Sequence, residues 1–210
     1  MRGLVVTGTD TNVGKTVVAA MLTQALGGVY FKPVQAGTED ETDRETVKRL
    51  TGLGGERVLD EAYVLSRPLS PHRAAELDGV EIDPQRLAPP QNERPLIVEG
   101  AGGLFVPVNR DTLFVDLFAV WGLSLVLTAR TGLGTLNHTL LSLEALRARN
   151  IDVLGVAFVG DDNADNMRTI AEMGNVKILG RVPMLDAIDT DTLARTFETH
   201  FALEDFAGAR

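Results

Sequence analysis

The stretch Gly8-Thr9-Asp10-Thr11-Asn12-Val13-Gly14-Lys15-Thr16 constrains this chain more than any other. It follows the apolar run Leu4-Val5-Val6 and precedes a helical pattern from Val17 to Leu26. A strand, a Gly-Lys-Thr turn and a helix, in that order, make a phosphate-binding loop. Backbone N–H groups and the helix N-terminus attract phosphate, the lysine adds a point charge, and the threonine offers its hydroxyl to Mg²⁺. The generic motif has about four residues between its glycines, whereas this chain has five, Thr9 to Val13. An ordinary glycine-rich turn would need neither Lys15 nor Thr16.

A chain of 210 residues accommodates one α/β core and would crowd two, so a single domain over residues 1–210 is expected. The net charge of −9 argues against general nucleic-acid binding, which needs a basic face. An acidic protein that binds a polyanion must gather its cations in the site, which draws attention to Lys15 and Lys32. The absence of cysteine excludes disulfides and thiolate metal sites. No apolar run approaches the ~18 residues of a membrane span, and no basic-then-apolar signal opens the chain, so a cytoplasmic protein with no membrane partner is expected.

Apolar runs of strand length recur at Gly3–Thr7, Gly28–Val34, Pro95–Val98, Ser124–Thr128, Val153–Val159 and Val176–Leu179. Helical patterns fall between them at Lys15–Leu26, Asp43–Leu50, Leu136–Arg149, Asn163–Met173 and Asp191–Phe201. Most of these strands are apolar on both sides of the alternation, as buried parallel strands are. The expected fold is α/β of the phosphate-loop NTPase type, a mostly parallel central sheet with helices on both faces. The proline-rich region Arg67–Arg94 reads as a long crossover with short helices such as His72–Asp78.

Ligands of such sheets sit beyond the carboxyl ends of the strands. Lys32 follows the second strand, placed to neutralise phosphate or an anionic substrate group. Thr42 and Glu45 fit a capping box, with Asp43 in the first helical turn, where an acid complementing the helix dipole is a sufficient explanation. Glu99 follows the third strand and is backed by Gly100, Gly102 and Gly103; a carboxylate at a buried strand end is costly unless paired or bound to metal. Residues 129–138 follow the fourth strand, open the long helix to Arg149 and offer a second set of free N–H groups for an anion. His138 and His72 are ambiguous between structural and functional roles.

Together these blocks resemble dethiobiotin synthetase. The resemblance rests on Gly-Thr-Asp-Thr-x-Val-Gly-Lys-Thr with its five-residue spacing, Lys32-Pro33-Val34-Gln35, Ser70-Pro71-His72, Val98 to Gly103, and Leu133 to His138, in that order, over residues 3 to about 185. It implies ATP-dependent closure of a ureido ring on 7,8-diaminopelargonate with CO₂ or bicarbonate, in a cytoplasmic homodimer whose site is shared across the interface. It implies nucleotide contacts from Asn12, Val13, Gly14, Lys15, Thr16, Val17, Glu99 and Gly102, with Pro183 and Leu185 near the base. It implies a Mg²⁺ shell of Thr16, Asp43 and Glu99, and Lys15 and Lys32 as catalytic cations. Substrate contacts are implied for Thr11, Lys32, Ala36 and, from the opposite subunit, Gly134, Thr135 and Asn137.

Three positions depart from the family pattern. Asn12 is acidic in some relatives, Ala36 is Ser or Thr in some, and Val159 stands where an adenine-reading Asn is expected. Val159 offers no hydrogen bond, so discrimination between ATP and other nucleoside triphosphates is expected to be weak. Three other readings compete, the plainest a nucleotide-binding regulator without catalysis, which intact Lys15, Lys32 and Glu99 disfavour. Amidotransferase-type synthases need a catalytic cysteine that this chain lacks. Partitioning-type switch ATPases of the same fold usually carry an extra early lysine, where this loop has Thr9 and Asp10.

Overall fold

The computed structural model describes residues 2–209. β1 (Gly3–Gly8) leads through the phosphate loop into α1 (Lys15–Ala25). β2 (Val29–Phe31), β3 (Val34–Ala36), α2 (Asp43–Thr51), β4 (Tyr63–Leu65) and α3 (Pro71–Asp78) follow. The second half alternates regularly through β5 (Leu96–Gly103), α4 (Phe114–Trp121), β6 (Ser124–Arg130), α5 (Thr135–Arg147), β7 (Val153–Val159), α6 (Ala164–Gly174), β8 (Ile178–Val182) and α7 (Thr190–His200).

Six strands form one parallel sheet in the order β2-β5-β1-β6-β7-β8. β1 sits inside it, so its carboxyl end and the phosphate loop lie between the ends of β5 and β6. Alternate residues feed two apolar layers. Leu4, Val6, Ile97, Val126 and Ala157 pack with α1, α2 and α7, while Val5, Val98, Leu127, Val156 and Phe158 pack on the other side with α4, α5 and α6. A strand covered on both faces has no polar side to show, which is why these runs are continuously apolar. The α/β architecture with helices on both faces is the one the sequence predicts.

Several expectations need correction. The run Gly28–Val34 is two strands. Pro33 has no N–H to donate, and its carbonyl accepts from the N–H groups of Ala62 (3.0 Å) and Tyr63 (3.1 Å), so the chain leaves the main sheet and starts a separate β3–β4 parallel pair. β5 does not stop before Glu99. It continues to Gly103, with Val6 opposite Glu99 and Gly8 opposite Gly103, because glycines let the backbone run close against β1 through a register shift. The last strand lies at Ile178–Val182 rather than Val176–Leu179. α3 and a 3-10 turn at Pro84–Leu87 occupy the proline-rich crossover as expected. β4 and α4 were not expected: β4 is three residues long, and α4 is apolar on most of its circumference, which hides its period.

Candidate active site

The phosphate loop is built before any ligand arrives. Asn12 and Gly14 adopt left-handed backbone, φ 57° and 91°, conformations that Asn tolerates and Gly adopts freely. A methyl group on Gly14 would come within 2.9 Å of the Val159 side chain, so the end of β7 is packed against the loop. Asp10 fastens the loop's outer edge. Its Oδ1 accepts from the Thr11 N–H at 2.7 Å, its carbonyl accepts from the Lys15 ammonium at 2.8 Å, and its Oδ2 pairs with Arg130 at 2.8 Å. The Thr9 N–H donates to the Thr128 carbonyl of β6 at 3.0 Å. Val13 is buried and folds over Gly8, Val17 continues α1, and Thr11 lies beside Gly102.

Beneath the loop, residues from four elements or their flanks meet in one largely buried cluster. The Thr16 hydroxyl, at the start of α1, lies 2.8 Å from Asp43 Oδ1 and 2.9 Å from Glu99 Oε1, and its single proton serves one of them at a time. Lys32, just past β2, places its ammonium 2.7 Å from Asp43 Oδ2 and 3.3 Å from Glu99 Oε1. The Tyr30 hydroxyl donates to Glu99 Oε2 at 2.8 Å. Glu99 is 1% exposed and Lys32 4% exposed. Asp43 reaches the cluster because the capping box is present: the Glu45 N–H donates to the Thr42 hydroxyl at 3.3 Å and the Thr42 N–H donates to Glu45 Oε2 at 2.8 Å, which fixes the first turn of α2. Asp43 therefore does more than complement a helix dipole.

The charges are unequally served. Burial pushes the Lys15 ammonium down to about 8, against the pull of Glu99. Burial also opposes the charge on Lys32, but Glu99 and Asp43 outweigh it and hold that ammonium above the ordinary lysine value. Burial opposes ionisation of Asp43, and the nearer Lys32 charge overcomes it, so Asp43 titrates below its usual range. Glu99 lies farther from the same ammonium and is more deeply buried; desolvation wins there and raises it. One cation shared by two carboxylates favours the closer one.

The remaining expected residues divide. Gly102 has left-handed backbone (φ 63°) beside the loop. Val159 pairs with Val182 across β7 and β8, and the Gly160 N–H donates to the Val182 carbonyl at 3.0 Å, so the Pro183–Leu185 segment starts beside the end of β7. Ala36 ends β3, where the Gln35 side chain links Gly37 and the start of α2. Gly134, Leu133 and Asn137 are exposed at the start of α5, and so is His138. Thr135 is different: it is 1% exposed and its hydroxyl donates to the Arg130 carbonyl at 2.5 Å, so it braces the turn from inside. His72 stays local, with Nδ1 3.0 Å from the Ser70 hydroxyl.

Sequence reasoning missed Tyr30, Asp10 and Arg130. Tyr30 sits in an apolar run and reads as core, and Asp10 and Arg130 are far apart in the chain. Among the described residues no group of three or more His, Cys, Asp or Glu side chains could hold a metal. The oxygens that converge here come from two carboxylates and a hydroxyl. A cavity of about 550 Å³ lies elsewhere, between α1 and α7, lined by Met21, Gln24, Phe197 and Phe201, and brings no cations together.

Residues 2–192 match a family model described as an AAA domain. Proteins named ATP-dependent dethiobiotin synthetase BioD from Rhodopseudomonas palustris (strain BisA53) and Nitrobacter hamburgensis (strain DSM 10229 / NCIMB 13809 / X14) are each 57% identical over 97% of this chain and 95% and 96% of their own. One of the same name from Brucella melitensis biotype 2 (strain ATCC 23457) is 56% identical over 98% of this chain and 97% of its own. Among solved structures, a ParA family ATPase from Chlorobium tepidum TLS is similar with TM-score 0.53 at 10% identity, covering 92% of this chain and 96% of that one. The septum site-determining protein MinD complexed with Mg-ADP, from Pyrococcus horikoshii OT3, has TM-score 0.54 at 14% identity, covering 93% and 86%. At those identities the likeness is one of fold alone.

Proposed function

The chain belongs to the ATP-dependent dethiobiotin synthetase family, and on that premise we propose that its cluster of buried cations closes a ureido ring at the expense of ATP. The observation that carries this reading is the convergence of Lys15, Lys32, Thr16, Asp43 and Glu99 under one phosphate loop. The substrates are 7,8-diaminopelargonate, CO₂ or bicarbonate, and ATP. One amine captures CO₂ as a carbamate and gives up a proton. A carbamate oxygen then attacks the γ-phosphorus, forming a carbamic–phosphoric anhydride and releasing ADP. The second amine attacks the carbamoyl carbon, the ring closes, and phosphate leaves.

No covalent bond to the protein is needed, so the chain positions anions and stabilises charge. Lys15 and the loop N–H groups hold the β- and γ-phosphates. Lys32 lies at the junction between loop and carboxylates, where the carbamate and the transferring phosphoryl group meet. Thr11 and Ala36 flank the diamine. Asn137 and the turn at Gly134 hold its far carboxylate from the opposite subunit of a homodimer, while Thr135 shapes that turn without facing the ligand. The oxygens of Thr16, Asp43 and Glu99 form a hard donor set that fits Mg²⁺, and they would hold it. When bound, the ion supplies charge neutralisation on the phosphates. Among the described residues no helix is long and apolar enough to cross a membrane, and a cytoplasmic location accords with the substrates.

Phosphate release from ATP, measured with and without diaminopelargonate plus bicarbonate, tests the reading. We expect release to require both. Release indifferent to both would favour a switch ATPase, for which this chain offers only the shared fold.

A further inference from the structure

Tyr30 stands apart from the rest of the core aromatics. It is fully buried on β2, and its backbone is held from two sides. It lies opposite Ile97 of β5, its N–H donates to the Arg57 carbonyl at 2.8 Å, and its carbonyl accepts from the Leu59 N–H at 2.9 Å. Side chains two apart on a strand share a face, so Ile97 and Glu99 point to the same side of β5. Tyr30 faces that side too and reaches Glu99 Oε2 at 2.8 Å. A phenylalanine would fill the same space. A buried hydroxyl is costly unless it is bonded, and a buried carboxylate oxygen is costlier still.

The two oxygens of Glu99 therefore have different surroundings. Oε2 is taken by a rigid donor from the sheet. Oε1 faces the two groups that have other work, the Thr16 hydroxyl at 2.9 Å and the Lys32 ammonium at 3.3 Å. When Lys32 turns to a substrate anion and the Thr16 oxygen serves a cation, Tyr30 remains on the carboxylate. We propose that Tyr30 is a positioning residue: its hydroxyl fixes Glu99 through Oε2 and thereby presents Oε1 to the divalent cation held with Thr16 and Asp43. This rests on the metal reading given above.

The test is the metal dependence of nucleotide binding, not turnover. ADP binding is measured by titration calorimetry in excess Mg²⁺ and in EDTA, for the wild-type chain and for Tyr30→Phe. Donors behind a metal ligand are typically worth about 10- to 100-fold in metal affinity, so we expect the variant to lose roughly that factor with Mg²⁺ present and almost nothing in EDTA. A purely structural hydroxyl would lower the unfolding temperature and leave the ratio of the two affinities unchanged, which overturns the proposal. If wild-type binding is indifferent to Mg²⁺, the metal reading itself falls. Should Tyr30→Phe not fold, the wild type answers alone. The chain has two tyrosines, so the ring carbon bearing the Tyr30 hydroxyl can be followed by ¹³C NMR, with Tyr63→Phe giving the assignment. We expect that signal to stay at its carboxylate-bonded position on addition of Mg²⁺ and ADP; a shift away from it would show the bond released, contrary to the proposal.

Discussion

Helices α1 and α5 begin alike and meet different surroundings. Gly14 and Gly134 each stand at the N-cap with φ 91°, and neither start has a side-chain cap. The left-handed glycine turns the chain sharply and leaves the first helical N–H groups pointing outward. Around Gly14 the molecule is closed, with Val159 within 2.9 Å of any added methyl group and Lys15 only 7% exposed. Around Gly134 nothing lies within 4 Å of such a group, and Leu133 is 102% exposed. One backbone device therefore makes a rigid, charged cradle at α1 and an open end at α5. Packing, not local conformation, separates the two.

Removing the inner cation by Lys32→Ala should cost about 100- to 1,000-fold in kcat, as loss of one preorganised charge donor does, while nucleotide binding survives; steady-state kinetics beside calorimetry would reveal it, and normal turnover would remove Lys32 from the reaction. Gly14→Ala combines a left-handed penalty of ~1–2 kcal/mol with overpacking of ~1–3 kcal/mol, and denaturant unfolding should show their sum. Val159→Ala should relieve the second part, so a double variant no better than Gly14→Ala would break the packing account.

Asn137→Ala at the outer end should raise the KM for diaminopelargonate about 10-fold, the loss of one hydrogen bond to a charged group, and leave the KM for ATP alone. Equal changes in both would place Asn137 elsewhere. Gly134→Ala should cost only the backbone penalty of ~1–2 kcal/mol, since open space surrounds it. The smallest effect concerns the base. With Val159 at the end of β7, CTP and GTP should compete with ATP within about one order of magnitude, and a strong ATP preference in competition binding would assign base recognition to the backbone of 182–185.

The legibility of the chain divides in the same way. The loop, Lys15, Thr16 and the capping box before Asp43 are local patterns and could be read directly. Lys32 and Glu99 were found because they flank apolar runs, yet the elements around them were misjudged. Pro33 ends a strand that looked continuous, and the glycines after Glu99 extend one that looked finished. Tyr30 was invisible because its partner lies 69 residues away and its neighbours are apolar. Thr135 seemed poised for a ligand, and only its burial shows that its hydroxyl is spent on Arg130. Sequence displays the residues of a site when chemistry and local period coincide, and hides them when a distant strand supplies the partner.

Lys32 and Glu99 have almost no water of their own, at 4% and 1% exposed, and answer one another and Asp43 instead. Taking away one partner leaves the other's charge stranded in the interior. The trio can therefore be exchanged only as a set, which ties three distant stretches of chain to a common fate.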